Sequence, residues 1–300
     1  MFQKSNMFQI DTFSQIGRQI SEYKLMKLIG RGRFGGVYLA KNDDMKVAVK
    51  ITTDHHSWEN ERDILRRLNG ISGVPRLFWD GNESCFYALT MSQYYRSLAE
   101  LTLLNQVTHY SFSKGNIQKL LFQIVNILEA VHDKGVLHRD IKPTNLMVTN
   151  PEGHFNVTRC VLIDYGLSHV YDHNNKKNNG RYNFEKLMHS PPNVIMNGNP
   201  SPQDDLIQLT YCTFGWNNCD MDGFTTGTKD EQYKYKLNLL RNPESHLPSA
   251  LLWLLPFFKK VSELPLDYDS IRVAIQSASP SSNASGNLML TMRNGFLKLS

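Results

Sequence analysis

The hydrophobic pattern of this 300-residue chain changes about a third of the way along it. Between residues 21 and 51 apolar and polar side chains alternate around glycines, which predicts short strands joined by tight turns. Residues 58–68 have helical periodicity, and residues 86–91 return to the strand pattern. From residue 116 to 132 apolar side chains recur at helical spacing, and helical stretches then dominate. The pattern therefore predicts an α+β, bilobal fold, with a small antiparallel β-sheet lobe that carries one helix and a larger, mostly α-helical lobe.

The change of pattern also predicts where the parts of the chain begin and end. Residues 1–22 form an N-terminal extension, 23–91 the small lobe, 92–96 a hinge and 97–276 the large lobe. The Ser/Asn/Gly-rich stretch that opens residues 277–300 has the composition of a flexible tail, although LMLTMRNGFLKLS at its end contains enough apolar residues to dock. We therefore expect one domain over residues 23–276, followed by a flexible tail.

Composition and charge exclude several classes of protein. At 41% hydrophobic residues the chain can bury a substantial core. Its longest apolar run is far shorter than the roughly 20 residues of a membrane helix, and its start lacks the apolar core of a secretory signal. The net charge of +5 is scattered rather than clustered, so we expect no nucleic-acid partner. We expect an intracellular protein of the cytoplasm and/or nucleus, without a membrane span and with its four cysteines reduced.

A glycine-rich segment lies between two of the predicted strands. Gly30, Gly32, Gly35 and Val37 spell GxGxxGxV. Glycine lets backbone N–H groups come close to phosphate oxygens, and the chain continues as a strand rather than opening a helix. This context favours a hairpin lid over nucleotide phosphates rather than a dinucleotide fold. The motif alone fits a plain glycine-rich hairpin about as well.

Lys50 closes the next strand, VAVK. A lysine at the end of a buried strand needs an anionic partner, which could be a phosphate and a carboxylate. Glu61, on the following helix, can supply the carboxylate, whereas Glu59 faces a different side of that helix. The alternative is an edge-strand lysine whose side chain reaches water.

The stretches HRDIKPTN and LIDYG contain the remaining reactive side chains. Phosphoryl transfer requires a carboxylate to orient or accept the proton of the attacking hydroxyl, a cation on the transferred phosphate, and ligands for magnesium. Asp140 fits the base and Lys142 the cation on the γ-phosphate. Asn145 and Asp164 fit the magnesium ligands. These residues predict a phosphotransferase.

Together these motifs, in this order, resemble the eukaryotic protein kinases from about residue 23 to 275. Within that superfamily the casein kinase I family is the closest branch, on the stretches ERDILRRLNGISGVP, HRDIKPTN and LDYDSIR. The resemblance implies a Ser/Thr protein kinase with ATP and Mg²⁺ as cofactors and protein hydroxyls as substrates. It also implies a monomer.

The resemblance assigns nucleotide-binding roles to residues of the small lobe and hinge. Lys50 would bind the α- and β-phosphates, steadied by Glu61, and Met91 would be the gatekeeper. The implied nucleotide-binding set is Gly30, Arg31, Gly32, Arg33, Phe34, Gly35, Val37, Ala48, Lys50, Met91, Ser92, Gln93 and Tyr94. Asp205 would anchor the catalytic loop from behind, although it could instead be an ordinary helix N-cap.

The segment RYNFEKLMHSPPNV, residues 181–194, departs from the family pattern. It contains neither the APE ending of typical kinases nor the GTxRYxS-like stretch of the casein kinase I branch. Counted back from Asp205, Glu185 and Lys186 occupy the Gly-Thr positions. Met188 occupies the position of an Arg that would help to bind acidic or phosphorylated substrates. The departure leaves open a pseudokinase or scaffold that binds nucleotide and a protein partner with little phosphotransfer.

Few residues near this segment could receive an activating phosphate. The candidates are Ser168, Tyr171, Tyr182 and Ser190. The simpler prediction is that the protein needs no phosphorylation to become active. A third functional class, a small-molecule kinase on the same fold, is the least favoured alternative.

Overall fold

The computed structural model describes residues 15–32, 35–83, 85–107, 112–149, 158–171, 188–196, 198–293 and 296–299. Their contacts divide the chain into two compact units. Unit 1 comprises the described residues within 1–70, 74–93 and 164–167, and unit 2 comprises the others. Asp164 therefore packs with unit 1, although the chain on both sides of residues 164–167 belongs to unit 2.

Unit 1 is an antiparallel sheet with one long helix. The strands are β1 (Gln19–Ile20), β2 (Tyr23–Gly32), β3 (Gly35–Lys41), β4 (Lys46–Thr52), β5 (Leu77–Glu83) and β6 (Phe86–Ser92), in the order β1-β2-β3-β4-β6-β5. The core lies on one side of the sheet, where Tyr38, Val49 and Ala88 are fully buried. Alternation along β3 places Tyr38 and Ala40 inward, which is the period-2 pattern that the sequence displays.

Helix α1 (His55–Arg67) packs on the sheet of unit 1. It begins three residues earlier than its apolar periodicity, because the Asp54 side chain accepts a hydrogen bond from the backbone N–H of Ser57 and caps the helix. Trp58, Ile64 and Leu65 are buried on its inner face. The indole N–H of Trp58 donates to the backbone carbonyl of Ala88 at 3.1 Å, which ties the helix to β6.

Unit 2 is mainly helical. Its helices are α2 (Leu98–Val107), α3 (Lys114–Asp133), α4 (Pro192–Ile195), α5 (Pro202–Trp216), α6 (Asp222–Thr225), α7 (Lys229–Arg241), α8 (Pro243–His246), α9 (Leu255–Ser262) and α10 (Tyr268–Ala278). Its short strands are β7 (Arg96–Ser97), β8 (Val136–Leu137), β9 (Leu146–Val148), β10 (Cys160–Leu162), β11 (His169–Val170), β12 (Leu290–Arg293) and β13 (Phe296–Leu299). The long helices α3 and α5 are buried along most of their length. The α+β class, with an antiparallel sheet lobe and a helical lobe, is confirmed.

The pairing of β9 with β10 fixes one end of the loop that carries the HRDIKPTN motif. Leu146 pairs with Leu162 and Val148 with Cys160, all of them buried. The loop enters from β8, which pairs with β11. Strands on both sides thus hold the loop of residues 138–145 at its two ends.

The described residues of the tail contact unit 2, as the apolar stretch at its end allows, and the flexibility of the tail stays a prediction. Asn116, on α3, donates to the carbonyl of Met289 at 3.0 Å and accepts from its N–H at 2.9 Å. Gln123, two turns further along the same face of α3, donates to the carbonyl of Gly286 at 3.1 Å. Ala284 and Leu288 are fully buried. The described tail residues are therefore packed on unit 2. Side chains of α3 hydrogen-bond to the backbone groups of the tail, and a few apolar tail residues are buried. No helix in the described parts of the chain is long and apolar enough to cross a membrane.

Candidate active site

Three predicted site residues meet in unit 1. The Nζ atom of Lys50, on β4, lies 2.7 Å from Oε2 of Glu61, on α1, and 2.7 Å from Oδ1 of Asp164. The backbone N–H of Tyr165 also hydrogen-bonds to Glu61. The structure therefore brings the lysine, its helix partner and the aspartate of the LIDYG motif into one cluster, which we call the lysine cluster.

The helical spacing of α1 explains why Glu61 rather than Glu59 is the partner. Glu61 shares the buried face of Trp58 and Leu65, three residues before it and four after it, and only 2% of it is exposed. Glu59 instead lies 3.4 Å from Arg62 on a half-exposed face. The prediction of the Lys50–Glu61 pair is confirmed, and the edge-strand alternative is wrong.

Electrostatics keep Lys50 charged. Burial alone would lower the pKa of its ammonium, but Glu61 and Asp164 outweigh this effect and raise the pKa above its usual value. Two carboxylates face one ammonium, so the lysine cluster carries excess negative charge. The side chain of Asp164 is 44% exposed, and a carboxylate oxygen is the type of ligand that Mg²⁺ prefers. The donor chemistry of Asp164 thus fits a magnesium ligand.

The glycine-rich segment forms a hairpin. Gly30 pairs with Val37 and Gly32 with Gly35 across β2 and β3, and Arg31 pairs with Gly36. A Cβ atom on Gly35 would lie 1.8 Å from the carbonyl oxygen of Ile51, so no larger residue fits there. The hairpin agrees with a lid rather than with a helix-opening dinucleotide loop. Arg33 and Phe34, also predicted to bind nucleotide, lie outside the described residues.

The predicted adenine-binding residues lie on β4, β6 and the segment after β6. Ala48 and Met91 are paired in register and nearly buried. The backbone N–H of Ser92 donates to the carbonyl of Arg76 at 3.0 Å, which fixes the end of β6. Gln93 is the last residue of unit 1 in this part of the chain, and Tyr94 begins unit 2. The role of these residues in binding adenine stays a prediction.

The other predicted catalytic residues meet in unit 2. Oδ2 of Asp140 accepts hydrogen bonds from Lys142 Nζ at 2.6 Å and from Asn145 Nδ2 at 3.0 Å. The same Asn145 nitrogen donates to the backbone carbonyl of Asp140 at 2.9 Å. These bonds do not use the amide oxygen of Asn145, which is a suitable magnesium ligand. The loop therefore brings together the residues predicted to be the base, the cation and a metal ligand.

Two site positions have an unusual backbone. Arg139 and Asp164 have φ values of 70° and 65°, in the left-handed region that non-glycine residues seldom adopt. Such a conformation costs about 1–3 kcal/mol and persists only where the surroundings determine it. Arg139 precedes the carboxylate of Asp140, and Asp164 carries one itself. The strain at both positions indicates that the site keeps its geometry at the expense of stability.

Asp205, on α5, anchors the catalytic loop. Its Oδ2 accepts the backbone N–H of His138 at 2.8 Å, and its Oδ1 accepts that of Arg139 at 2.7 Å. His132 Nε2 contacts Oδ2 at 2.9 Å. Burial would raise the pKa of Asp205, but the bond to His132 and the neighbouring histidines lower it, so the carboxylate stays charged. The N-cap of α5 is Ser201, so the alternative of an ordinary N-cap is wrong.

Sequence reasoning missed His189. Burial lowers its pKa to about 4, while Asp140 acts in the opposite direction. Lys142 and Lys236 lower it further, so the neutral imidazole lies within the electrostatic reach of the catalytic loop. In the sequence, residues 181–194 stand out for the family motifs that they lack and for two candidate phosphorylation sites, and neither feature indicates His189. Glu185 and Lys186 lie outside the described residues. Met188, in the position of the missing arginine, is 38% exposed.

Three of the four candidate phosphorylation sites are described, and all three are buried. Ser168, Tyr171 and Ser190 are between 2% and 7% exposed. Ser168 Oγ donates to the carbonyl of His138 at 3.3 Å, and the Tyr171 hydroxyl donates to that of His132 at 3.1 Å. Tyr182 lies outside the described residues. Activation without phosphorylation stays a prediction, and the burial of these three hydroxyls favours it.

A protein-family comparison agrees with this geometry. Residues 23–206, more than half of the chain, match the family model described as protein kinase domain. The matched range contains every predicted site residue from Gly30 to Asp164, and also Asp205 and His189.

Proposed function

This chain belongs to the protein kinase family, and we propose that it is an active Ser/Thr protein kinase that transfers the γ-phosphoryl group of Mg-ATP to protein hydroxyls. The observation that carries the proposal is that the charged side chains of the lysine cluster and of the catalytic loop contact one another within each group. Lys50 contacts both of its carboxylates at 2.7 Å, and Asp140 contacts Lys142 at 2.6 Å. A pseudokinase would have no need to keep all of these contacts.

Each side chain has a role in this mechanism. Asp140 orients the substrate hydroxyl and accepts its proton; because Lys142 and Asn145 both bond to Oδ2, we assign the proton to Oδ1. Lys142 exchanges its contact with Asp140 for the γ-phosphate oxygens. The magnesium ion, when bound, neutralises negative charge on the phosphates. Asn145 and Asp164 would hold that ion.

Nucleotide binding falls to the lysine cluster and the hairpin. Lys50 would contact the α- and β-phosphates, and Glu61 would keep the ammonium in that position. The backbone of Gly30, Gly32 and Gly35 would cover the phosphates, since glycine allows close approach. Residues from Ala48 to Tyr94 on β4, β6 and the segment after β6 would enclose the adenine.

The chain departs from the family pattern in residues 181–194, which would help to set its substrate preference. We propose a casein kinase I-like enzyme, on the strength of the motif resemblance, with one altered feature. The apolar, 38% exposed side chain of Met188 stands in the position of an arginine, and the pKa of nearby His189 is about 4. Neither side chain offers a cation at neutral pH. We therefore do not expect the preference for acidic or phosphorylated residues that such an arginine confers. We further propose that the protein acts as a monomer in the cytoplasm and/or nucleus.

The test is magnesium-dependent transfer of labelled phosphate from ATP to casein and to the protein itself. Wild type is compared with Asp140→Asn, and Asp204→Asn serves as a control that changes a buried carboxylate on α5 without touching the loop. We expect Asp140→Asn to lower the rate by about 10²–10⁴-fold, because the base is lost. If wild type incorporates no more phosphate than Asp140→Asn while Mg-ATP still raises its melting temperature, the protein is a nucleotide-binding scaffold.

A further inference from the structure

We propose that Gln208 is a positioning residue that fixes the direction of the Asp140 side chain by holding the two peptide groups on either side of it. The inference rests on the proposed function for its kinetic part alone. Gln208 lies on α5, three residues after Asp205, and is 4% exposed. In the described part of the chain its hydrogen bonds go to the loop backbone and to none of the predicted substrate- or cofactor-binding side chains, so it would act through the loop.

The contacts of Gln208 bracket Asp140. Its Oε1 accepts the backbone N–H of Ile141 at 2.9 Å. Its Nε2 donates to the backbone carbonyl of Arg139 at 3.1 Å. The carbonyl of Arg139 belongs to the peptide plane before Asp140, and the N–H of Ile141 to the plane after it. Those two planes determine where the Cα–Cβ bond of Asp140 points.

Asp205 does not perform this task. Its carboxylate accepts the N–H groups of His138 and Arg139, which belong to the two preceding peptide planes. Asp205 makes no bond to the plane between Arg139 and Asp140. Within the loop, the N–H of that plane donates to Nδ1 of His138 at 3.2 Å. Gln208 holds that plane and the next one. The two side chains of α5 thus fix four consecutive planes of the catalytic loop.

Helix α5 holds both of the peptide planes that set the strained backbone conformation of Arg139. Arg139 is held at a φ of 70°, a conformation that costs a non-glycine residue about 1–3 kcal/mol. That φ depends on the peptide plane before Arg139, whose N–H donates to Asp205. The plane after Arg139 sets its ψ and the φ of Asp140, and Gln208 holds this plane through the carbonyl of Arg139.

Only an amide of this length meets both peptide groups. A glutamine side chain offers one acceptor oxygen and two donor hydrogens, whereas ionised glutamate offers acceptors alone. Methionine has a similar volume and offers neither bond. Gln208→Met therefore removes both bonds at constant volume, and Gln208→Glu removes the bond to Arg139 while it keeps an acceptor for Ile141.

The chain contains a matched control. Gln118, on α3, is fully buried, and its Nε2 donates to two backbone carbonyls, those of Ile275 at 2.7 Å and Gln276 at 3.0 Å. Gln118→Met removes two buried bonds to backbone groups that lie far from the loop in sequence. Both methionine variants are expected to lower the melting temperature.

The experiment combines kinetics with amide hydrogen exchange on the full chain. For Gln208→Met we expect kcat to fall by roughly 10–100-fold through misplacement of the base, with the KM for ATP within about twofold of wild type. Exchange over residues 138–146 should become faster. The kcat and the exchange rate of Gln208→Glu should lie between those of wild type and Gln208→Met. Gln118→Met should keep the wild-type kcat and the wild-type exchange over residues 138–146.

Two results would overturn the inference. One is a kcat for Gln208→Met no lower than that of Gln118→Met. The other is wild-type exchange over residues 138–146 in the Gln208 variants. If Gln208→Met does not fold, Gln208→Glu supplies both readouts. Exchange needs no enzymatic activity, so an inactive wild type would disprove the proposed function while exchange still decides whether Gln208 holds the loop.

Discussion

The lysine cluster of unit 1 and the catalytic loop of unit 2 keep their geometry in different ways. Side chains hold the first, since one ammonium contacts two carboxylates at 2.7 Å. Hydrogen bonds to its backbone hold the catalytic loop. Asp205, on a helix more than sixty residues further along the chain, accepts bonds from two N–H groups of the loop. A change of charge should therefore disturb the lysine cluster locally. The geometry of the catalytic loop should instead be disturbed by substitutions at supporting residues that take no part in the reaction.

The comparison also shows where strain is tolerated. Arg139 in the loop and Asp164 in the lysine cluster both have positive φ values. Asp164 is held by its ion pair with Lys50, which is partly exposed to solvent. Arg139 is held by hydrogen bonds to Asp205 and Gln208, two side chains of α5 that are at most 4% exposed. We expect the loop to be the more rigid of the two.

After that of Asp140→Asn, the largest expected effect comes from breaking the lysine cluster without changing its shape. Glu61→Gln removes the charge that positions Lys50, so we expect phosphotransfer to fall by roughly 10–100-fold. The measurement is the initial rate at saturating Mg-ATP. Glu59→Gln is the control, since Glu59 pairs with Arg62 on a half-exposed face and should leave the rate unchanged. Equal rates for the two variants would contradict the role of Glu61.

The next effect tests the anchor of the loop through its pH dependence. Asp205→Asn should cost about 3 kcal/mol at neutral pH, because a buried charged acceptor of backbone bonds is lost. The pKa of Asp205 is lowered in the folded protein, so its contribution is complete above the unfolded value of about 3.9 and is lost as pH falls below it. The difference between wild type and the variant should therefore shrink below about pH 4. Urea unfolding followed by tryptophan fluorescence measures it.

The adjacent carboxylate should show the opposite trend. Burial raises the pKa of Asp204 to about 6, so the folded protein binds a proton there that the unfolded chain has released. Its contribution therefore makes the protein less stable as pH rises from about 4 to about 6, and Asp204→Asn should remove this decline. The same urea series serves both variants. Parallel pH profiles for Asp204→Asn and Asp205→Asn would contradict the assignment of separate roles.

The smallest effect concerns the tail on unit 2. Asn116→Ala removes both hydrogen bonds to Met289, and we expect a loss of about 1–2 kcal/mol with faster amide exchange over residues 284–290. Asn126→Ala on the same helix is the control, because its bond to Arg272 is exposed. Exchange in the tail that is as fast in wild type as in Asn116→Ala would show that the tail is not held.

Local patterns predicted the secondary-structure elements and the contact between Lys50 and Glu61 well. Period-2 alternation identified the sheet of unit 1, and helical spacing distinguished Glu61 from Glu59. Motif order singled out Asp140, Asn145 and Asp164 as candidate site residues, whose chemical roles stay predictions. These features depend on residues that are near one another in sequence, or that must have a particular chemical type.

Long-range contacts could not be predicted in the same way. The Ser/Asn/Gly-rich composition of the tail predicts a flexible segment. It does not indicate the hydrogen bond to Asn116, which lies 173 residues away in the sequence. Gln208 resembles any polar residue on a helix until its bonds to Arg139 and Ile141 are seen. Sequence shows which residues can react, but the residues that support them become visible only once the chain is folded.

The most direct test of the central claim separates nucleotide binding from phosphotransfer. Mg-ATP binding, followed as a shift in melting temperature, and phosphate incorporation into casein are measured on the same preparations of wild type, Lys50→Met and Asp140→Asn. We predict that Lys50→Met loses both signals, whereas Asp140→Asn keeps nucleotide binding and loses incorporation. Incorporation by Asp140→Asn at the wild-type rate would contradict the assignment of the catalytic base, and with it the proposed mechanism.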